Sequence, residues 1–173
     1  MKFIKAFVLI LCVVSCAPIY VSYDYEKTTD FSTYGTYNFY DDMETGLTGL
    51  DEKRLISILE GKLNTMGFSK SDTPDFLIDI NSKEYQEGQS SSVGVGVGGG
   101  RRGLGGGVSI GIPVGQANVN RQIVIEFVDD SKTGLFWQAK SESSFNTKAK
   151  PEKREAKMKA IVDKLMAQYP PKS

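Results

Sequence analysis

The spacing of apolar residues changes several times along this chain, and each change predicts an element. An unbroken apolar run from Phe7 to Val14 follows Lys2 and Lys5. It is too short to span a bilayer and has the layout of a secretory signal. Alternation takes over next. Val21, Tyr23 and Tyr25 share one parity with more polar residues between them, and Tyr37 and Phe39 repeat the pattern after a turn at Gly35. A period of two carried by aromatic and branched residues predicts half-buried strands, with residues 16–22 read as a tether into the first of them. These tyrosines read as core and sheet-face residues, a tyrosine-lined ligand cleft being the alternative.

The period then lengthens. Leu55, Ile56, Leu59, Leu63 and Met66 fall on one helical stripe behind Thr48-Gly49-Leu50-Asp51, which has the form of a capping box. Gly67 is placed to end that helix in the left-handed conformation, with Phe68 packing back on the last turn as in a Schellman cap. After Pro74, the run Asp75-Phe76-Leu77-Ile78-Asp79-Ile80 is nearly continuous in apolar character and predicts a central strand buried on both faces. The polarity rises again from Lys83 to Gln89. Ile123-Val124-Ile125-Glu126-Phe127-Val128 predicts a further strand, which the turn chemistry of residues 129–134 joins to Leu135-Phe136-Trp137-Gln138-Ala139 as an antiparallel hairpin. Trp137 reads as a sheet residue over the core, with a stacking platform for sugars or bases as the alternative. A closing helix starts with Pro151 and Glu152 in its first turn and presents Met158, Ile161, Val162, Leu165 and Tyr169 on its apolar face. Lys153, Arg154, Lys157, Lys159 and Lys164 lie mostly outside that face, and Pro170-Pro171 stops it. The order predicts an α+β fold: a mainly antiparallel sheet with two helices packed on one face.

Residues 88–117 interrupt this order with a glycine-rich hairpin or loop. Its two arms alternate small and branched residues in phase. If Val97 faces Val108, then Val95 faces Ile110 and Val93 faces Ile112, each pair summing to the same residue number. Arg101 and Arg102 then sit at the tip, and one face of the ribbon is wholly aliphatic. Such a ribbon is marginal alone in water. Val95, Val97, Arg101, Arg102, Val108 and Ile110 therefore form a candidate interaction surface for the chain's own sheet, a second copy or a partner, with a disordered loop as the alternative.

Composition narrows the chemistry. The chain has 21 basic and 21 acidic residues; removing Lys2 and Lys5 with a signal leaves 19 against 21, so nucleic acid is not an expected partner. Histidine is absent, and the two cysteines are Cys12 and Cys16, the first inside the segment that a signal cut would remove. No disulfide is then expected within a mature chain, nor any site for zinc, copper or haem built on those ligands. The expectation is a domain that folds without metal or cofactor.

Val13-Val14-Ser15-Cys16 resembles the lipobox of bacterial lipoproteins, in which a small residue precedes an obligatory cysteine. By that resemblance residues 1–15 are the signal, Cys16 carries the lipid, and residues 16–173 form one domain. An ordinary signal cut nearby, leaving Cys16 as a free thiol, is the alternative. Ala17 follows the cysteine and no acidic cluster comes next, which points to an outer-membrane lipoprotein facing the periplasm.

Asp30-Phe31-Ser32-Thr33-Tyr34-Gly35-Thr36-Tyr37-Asn38-Phe39, the passage into Pro74-Asp75-Phe76-Leu77-Ile78, the glycine-rich segment, the strand into Asp129 with Trp137, and a last helix ending in Tyr169-Pro170 occur in an order that resembles the DUF4136 family of bacterial envelope lipoproteins. Gln138-Ala139 depart from that family's usual basic or small residue and glycine after the tryptophan. The resemblance implies a fold and an address without implying a reaction.

No histidine is available for general acid–base work. Carboxylates remain. Asp129 and Asp130 are adjacent and read as turn formers, and Asp75 and Asp79 share a parity on a strand where one of them is expected to have a raised pKa. Gly94-Val95-Gly96-Val97-Gly98-Gly99 matches a dinucleotide fingerprint in letters only, since no helix opens at it. The functional expectation is a membrane-anchored, non-catalytic binding or scaffold module of the envelope. A self-assembling structural lipoprotein is the first alternative and a carboxylate-based hydrolase the second.

Overall fold

Alternating segments of the chain assemble into one six-stranded sheet, with strand order β1-β6-β5-β4-β2-β3. The strands are β1 (Ile19–Tyr25), β2 (Thr36–Phe39), β3 (Ser69–Lys70), β4 (Phe76–Gln86), β5 (Val119–Asp129) and β6 (Gly134–Phe145). In this computed structural model the described residues are 18–86, 119–132 and 134–172. Two helices, α1 (Gly49–Thr65) and α2 (Pro151–Met166), complete the α+β fold. The pairings among β1, β6, β5 and β4 are antiparallel, whereas β2 runs parallel to both β4 and β3.

Register explains the core. Ile78 lies opposite Phe127, which lies opposite Trp137; one step along, Ile80, Ile125 and Ala139 form the next row. All six are buried, and Leu55, Leu59 and Leu63 of α1 with Ile161, Val162 and Leu165 of α2 complete the same cluster. The helices therefore cover one face of the sheet, as the stripes predict. A bulge between Phe127 and Val128 pairs Phe127 with Trp137 but Val128 with Leu135, so Phe136 is the extra residue. Consecutive Phe136 and Trp137 are thereby both buried, and Tyr34 stacks on Phe136 with ring centroids 4.3 Å apart.

Gly67 ends α1 at φ 94, while Phe68 donates its backbone N–H to Leu63 O and Gly67 donates to Asn64 O. This is the Schellman pattern expected. The N-terminus differs from expectation. Thr48 is the N-cap residue but makes no side-chain cap bond, and Asp51 turns inward to arginines instead of back to the cap. Thr45 Oγ1 donates to Glu52 at 2.5 Å. A buried charge pair outcompetes a solvent-exposed capping box.

Other expectations are corrected. β4 is not buried on both faces: Phe76, Ile78 and Ile80 are buried, but Leu77 and Asp79 are only half-buried, because no helix covers their side. The polar stretch from Lys83 stays in the strand as far as Gln86, paired with Gln122 through Val119. β1 already begins at Ile19, which shortens the expected tether of residues 16–22. No helix among the described residues is long and apolar enough to cross a membrane.

Candidate functional site

Cys16 and the predicted interaction residues Val95, Val97, Arg101, Arg102, Val108 and Ile110 lie outside the described residues. Cys16 stands three positions before the first residue of β1. What the described residues place in the open is the sheet's second face and one of its edges.

On the open face a row of polar side chains crosses four strands. Asp24 lies opposite Gln138, Gln138 opposite Glu126, and Glu126 opposite Asp79. Two carboxylates facing each other across neighbouring strands repel. Burial and, after it, the charge of Asp79 push the Glu126 carboxyl above the usual range. At the neighbouring corner Tyr40 Oη donates to Asp130 at 3.2 Å. A shallow depression of about 190 Å³ lies beside the row, lined by Asp24, Tyr25, Glu26 and residues 135–138. Toward the other end Lys140 pairs with Glu142 at 3.1 Å, and Gln122 and Tyr85 donate to the same carboxylate. The face is thus acidic at one end and mixed at the other. Among the described residues no group of three or more potential metal-ligating side chains converges.

Asp75 does not join that pair. It lies just before β4 and accepts from the backbone N–H of Gly35 at 2.9 Å and of Thr36 at 2.7 Å, as well as from Thr36 Oγ1 at 2.8 Å. Those bonds hold its pKa below the usual range, against the raised value expected for one of Asp75 and Asp79. Asp129 and Asp130 part company similarly. Asp129 is buried and caps the turn by accepting from Ser131 N, its hydroxyl and Tyr34 Oη. Burial first, then the contact with Asp129, pushes the Tyr34 phenol up to about 12.

The covered side holds a charge cluster that the sequence reading missed. Asp51, 1% exposed, receives Arg121 Nη1 at 3.1 Å, Arg154 Nη1 at 2.9 Å and Arg54 Nη1 at 2.9 Å. Arg121, 5% exposed, reaches Glu84 with its other arm at 2.6 Å and lies 3.4 Å over the Phe145 ring. Burial alone would raise Asp51, but the guanidiniums of Arg121 and Arg154 outweigh it and hold the carboxyl below its usual range. The cluster ties α1, α2, β4 and β5 together, so it reads as architecture.

A signal for the missed residues was present. The sum that pairs Val97 with Val108 also pairs Asp79 with Glu126 and Glu84 with Arg121, because the β4–β5 ladder has that same sum throughout, from Leu77 opposite Val128 to Gln86 opposite Val119.

A PDZ domain protein from Parabacteroides distasonis is similar with TM-score 0.57 and 13% identity, over 99% of this chain; the chain spans only 40% of that protein's length. PelC from Paraburkholderia phytofirmans, a dodecamer, is similar with TM-score 0.51 and 9% identity, over 87% of this chain and 95% of PelC. A DUF4136 family protein from Bacteroides thetaiotaomicron matches with TM-score 0.52 and 15% identity, over 88% of this chain and 96% of its own. These likenesses are of fold. No curated protein matches the sequence. The family model for DUF4136, a domain of unknown function, matches residues 21–171, and the chain therefore belongs to the DUF4136 family.

Proposed function

We propose that this chain is a lipid-anchored, non-catalytic scaffold of the bacterial envelope, held by Cys16 at the outer membrane on its periplasmic side, and that it works by binding protein, copies of itself above all. One observation carries the reading: the sheet is finished on one side only. Helices seal one face, while the other face and a seven-residue edge strand meet solvent among the described residues. That PelC, similar in fold, is a dodecamer supports assembly as a use for such a surface. An envelope protein or cell-wall partner for the open face is the coarser form of the same idea. Cys16→Ala is expected to abolish acylation and leave the protein uncleaved or released from membranes. Recovery of a normally processed, detergent-phase protein from that variant would sink the anchor, and a monomer at every surface density would sink the assembly.

A second reading rests on Asp79 facing Glu126, one carboxyl with its pKa raised, which is the pairing a carboxylate-based hydrolase uses. Hydrolysis of chromogenic glycosides or esters by the parent chain that Glu126→Gln removes would put this reading first.

A further inference from the structure

The two edges of the sheet are built differently. On the far side β3 has only two residues, and β4 beyond β2 is covered where Ser82 N–H donates to Thr45 O at 2.8 Å. Gly46, at φ 68, completes that cover: a Cβ there would lie 2.5 Å from Ser82 O, so only glycine lets the loop lie so close to the strand. β1 has none of this. It is seven residues long, pairs with β6 without a register shift, and contains no lysine, proline or bulge. Long regular edges without such features invite another strand. Two of its three tyrosines face solvent too, Tyr20 at 69% and Tyr23 at 44% exposure.

Backbone polarity shows which strand fits. Glu26 N–H donates to Phe136 O, and antiparallel alternation from that bond turns the groups of Tyr20, Ser22 and Asp24 toward β6 and those of Ile19, Val21, Tyr23 and Tyr25 outward. Side chains close both ends of this outward row. Lys164 Nζ donates to Ile19 O at 3.1 Å, and Tyr25 N–H donates to Asp24 Oδ1 at 2.9 Å. In the middle, the outward N–H and C=O of Val21 and Tyr23 meet no further strand among the described residues.

We propose that β1 is the surface through which two copies of this chain join, edge to edge and antiparallel, about a two-fold axis at Ser22. The inference rests on the self-assembly reading above and gives that assembly its surface. In this register Val21 of each copy exchanges both backbone bonds with Tyr23 of the other, which satisfies the central outward groups of both. Side chains agree with the register. On the open face Tyr20 meets Asp24 of the second copy, hydroxyl to carboxylate, and the symmetry repeats the contact. On the opposite face Val21 meets Tyr23, a branched–aromatic pair of the kind that stabilises sheets. A register shifted by one pair on either side would set Val21 or Tyr23 against itself and leave Tyr20 and Asp24 without each other.

The test uses the full chain in bacterial membranes. Ser22 opposite itself would be a non-hydrogen-bonded pair with Cα atoms about 4.5 Å apart, inside the roughly 4.4–6.8 Å that a disulfide spans. Mild oxidation of Ser22→Cys is expected to link most of the chain as dimer above the background of the unmodified protein. Tyr20→Cys and Asp24→Cys are each expected to stay at background alone and to link when co-expressed. Val21→Pro removes an outward N–H that β6 does not use, so the melting temperature is expected to hold while the native mass falls to that of one copy. Tyr20→Asp, which sets like charges together at both ends, and Tyr20→Lys, which sets opposite ones, are expected to weaken and strengthen the dimer respectively without moving the monomer's melting. No Ser22→Cys linkage above background, or an assembly indifferent to Val21→Pro and Tyr20→Asp, overturns the edge while leaving self-assembly through another surface. A parent chain that is monomeric in membranes overturns both.

Discussion

The two faces of this sheet share strands, register and backbone, yet they are built to opposite rules. Toward the helices, Phe76, Ile78 and Ile80 of β4 meet Ile125, Phe127 and Trp137 with nothing exposed. Toward the open side, the alternate residues of the same strand include Asp79, set directly against Glu126, and Asn81, which is exposed. Covered positions are fixed by packing. Open positions escape that constraint, and at least one pair there carries a cost that a fold optimised for stability alone would shed.

Substitution at neighbouring positions should break the comparison most visibly. Phe76→Ala is expected to cost about 3–5 kcal/mol, because its ring packs against those of Tyr34, Phe68, Phe127 and Phe136. Asn81→Ala, on the same strand but the open face, should stay within about 0.5 kcal/mol. Chemical denaturation of both variants measures the contrast, and comparable losses would mean that the open face is packed after all.

Asp51→Ala should come next, at about 3 kcal/mol, since it strands the buried Arg121 with only Glu84. The double variant Asp51→Leu/Arg121→Met should recover much of that loss. A pH dependence accompanies the cluster. Asp51 and Asp129 have folded pKa values below their unfolded ones, so the stability they contribute is present above the ordinary carboxylate range and is lost as pH falls through their folded values. Melting temperature should therefore drop on the acid side, below about pH 4, and Asp51→Ala should flatten that drop.

Glu126→Gln should have the smallest effect and the opposite sign. Its carboxyl is raised, so the ionised form is disfavoured in the folded chain: the parent loses stability as pH rises through that value. The variant should gain a few tenths of a kcal/mol at neutral pH after solvent screening, and the gain should vanish in acid. Thermal melts at pH 7 and pH 4 decide it.

Much of the covered face was legible because burial imposes periodicity. The stripe Leu55, Leu59, Leu63 and the alternation Ile123, Ile125, Phe127 are both present in the letters, and both are buried. Glycine at the end of α1 was legible for a different reason, a backbone conformation that few other residues adopt. Ile56 and Met66 share the stripe but are only partly buried: Ile56 lies at its margin, and Met66 is the C-cap residue past the last turn. Asp51 was misread as a cap because its arginine partners, Arg121 and Arg154, are distant in sequence and no local rule reaches them. The open-face pair was missed although its register was available, since Asp79 stands in an apolar run that reads as buried on both sides. The free edge of β1 was not visible either: whether a strand is an edge depends on sheet order, which periodicity does not carry.

With β1 starting at Ile19, Ala17 and Pro18 alone would separate the proposed lipid on Cys16 from the sheet. The three steps from Cys16 to Ile19 span at most about 11 Å, and proline restricts even that reach. Such a link would be a mooring, not a leash. Anchored copies would drift in a plane with their first strands held at the height of the lipid headgroups, so meeting becomes a matter of how crowded the membrane is. Pairing too weak to survive dilution in detergent can then be dominant in the bilayer, and a soluble version of this chain would understate it.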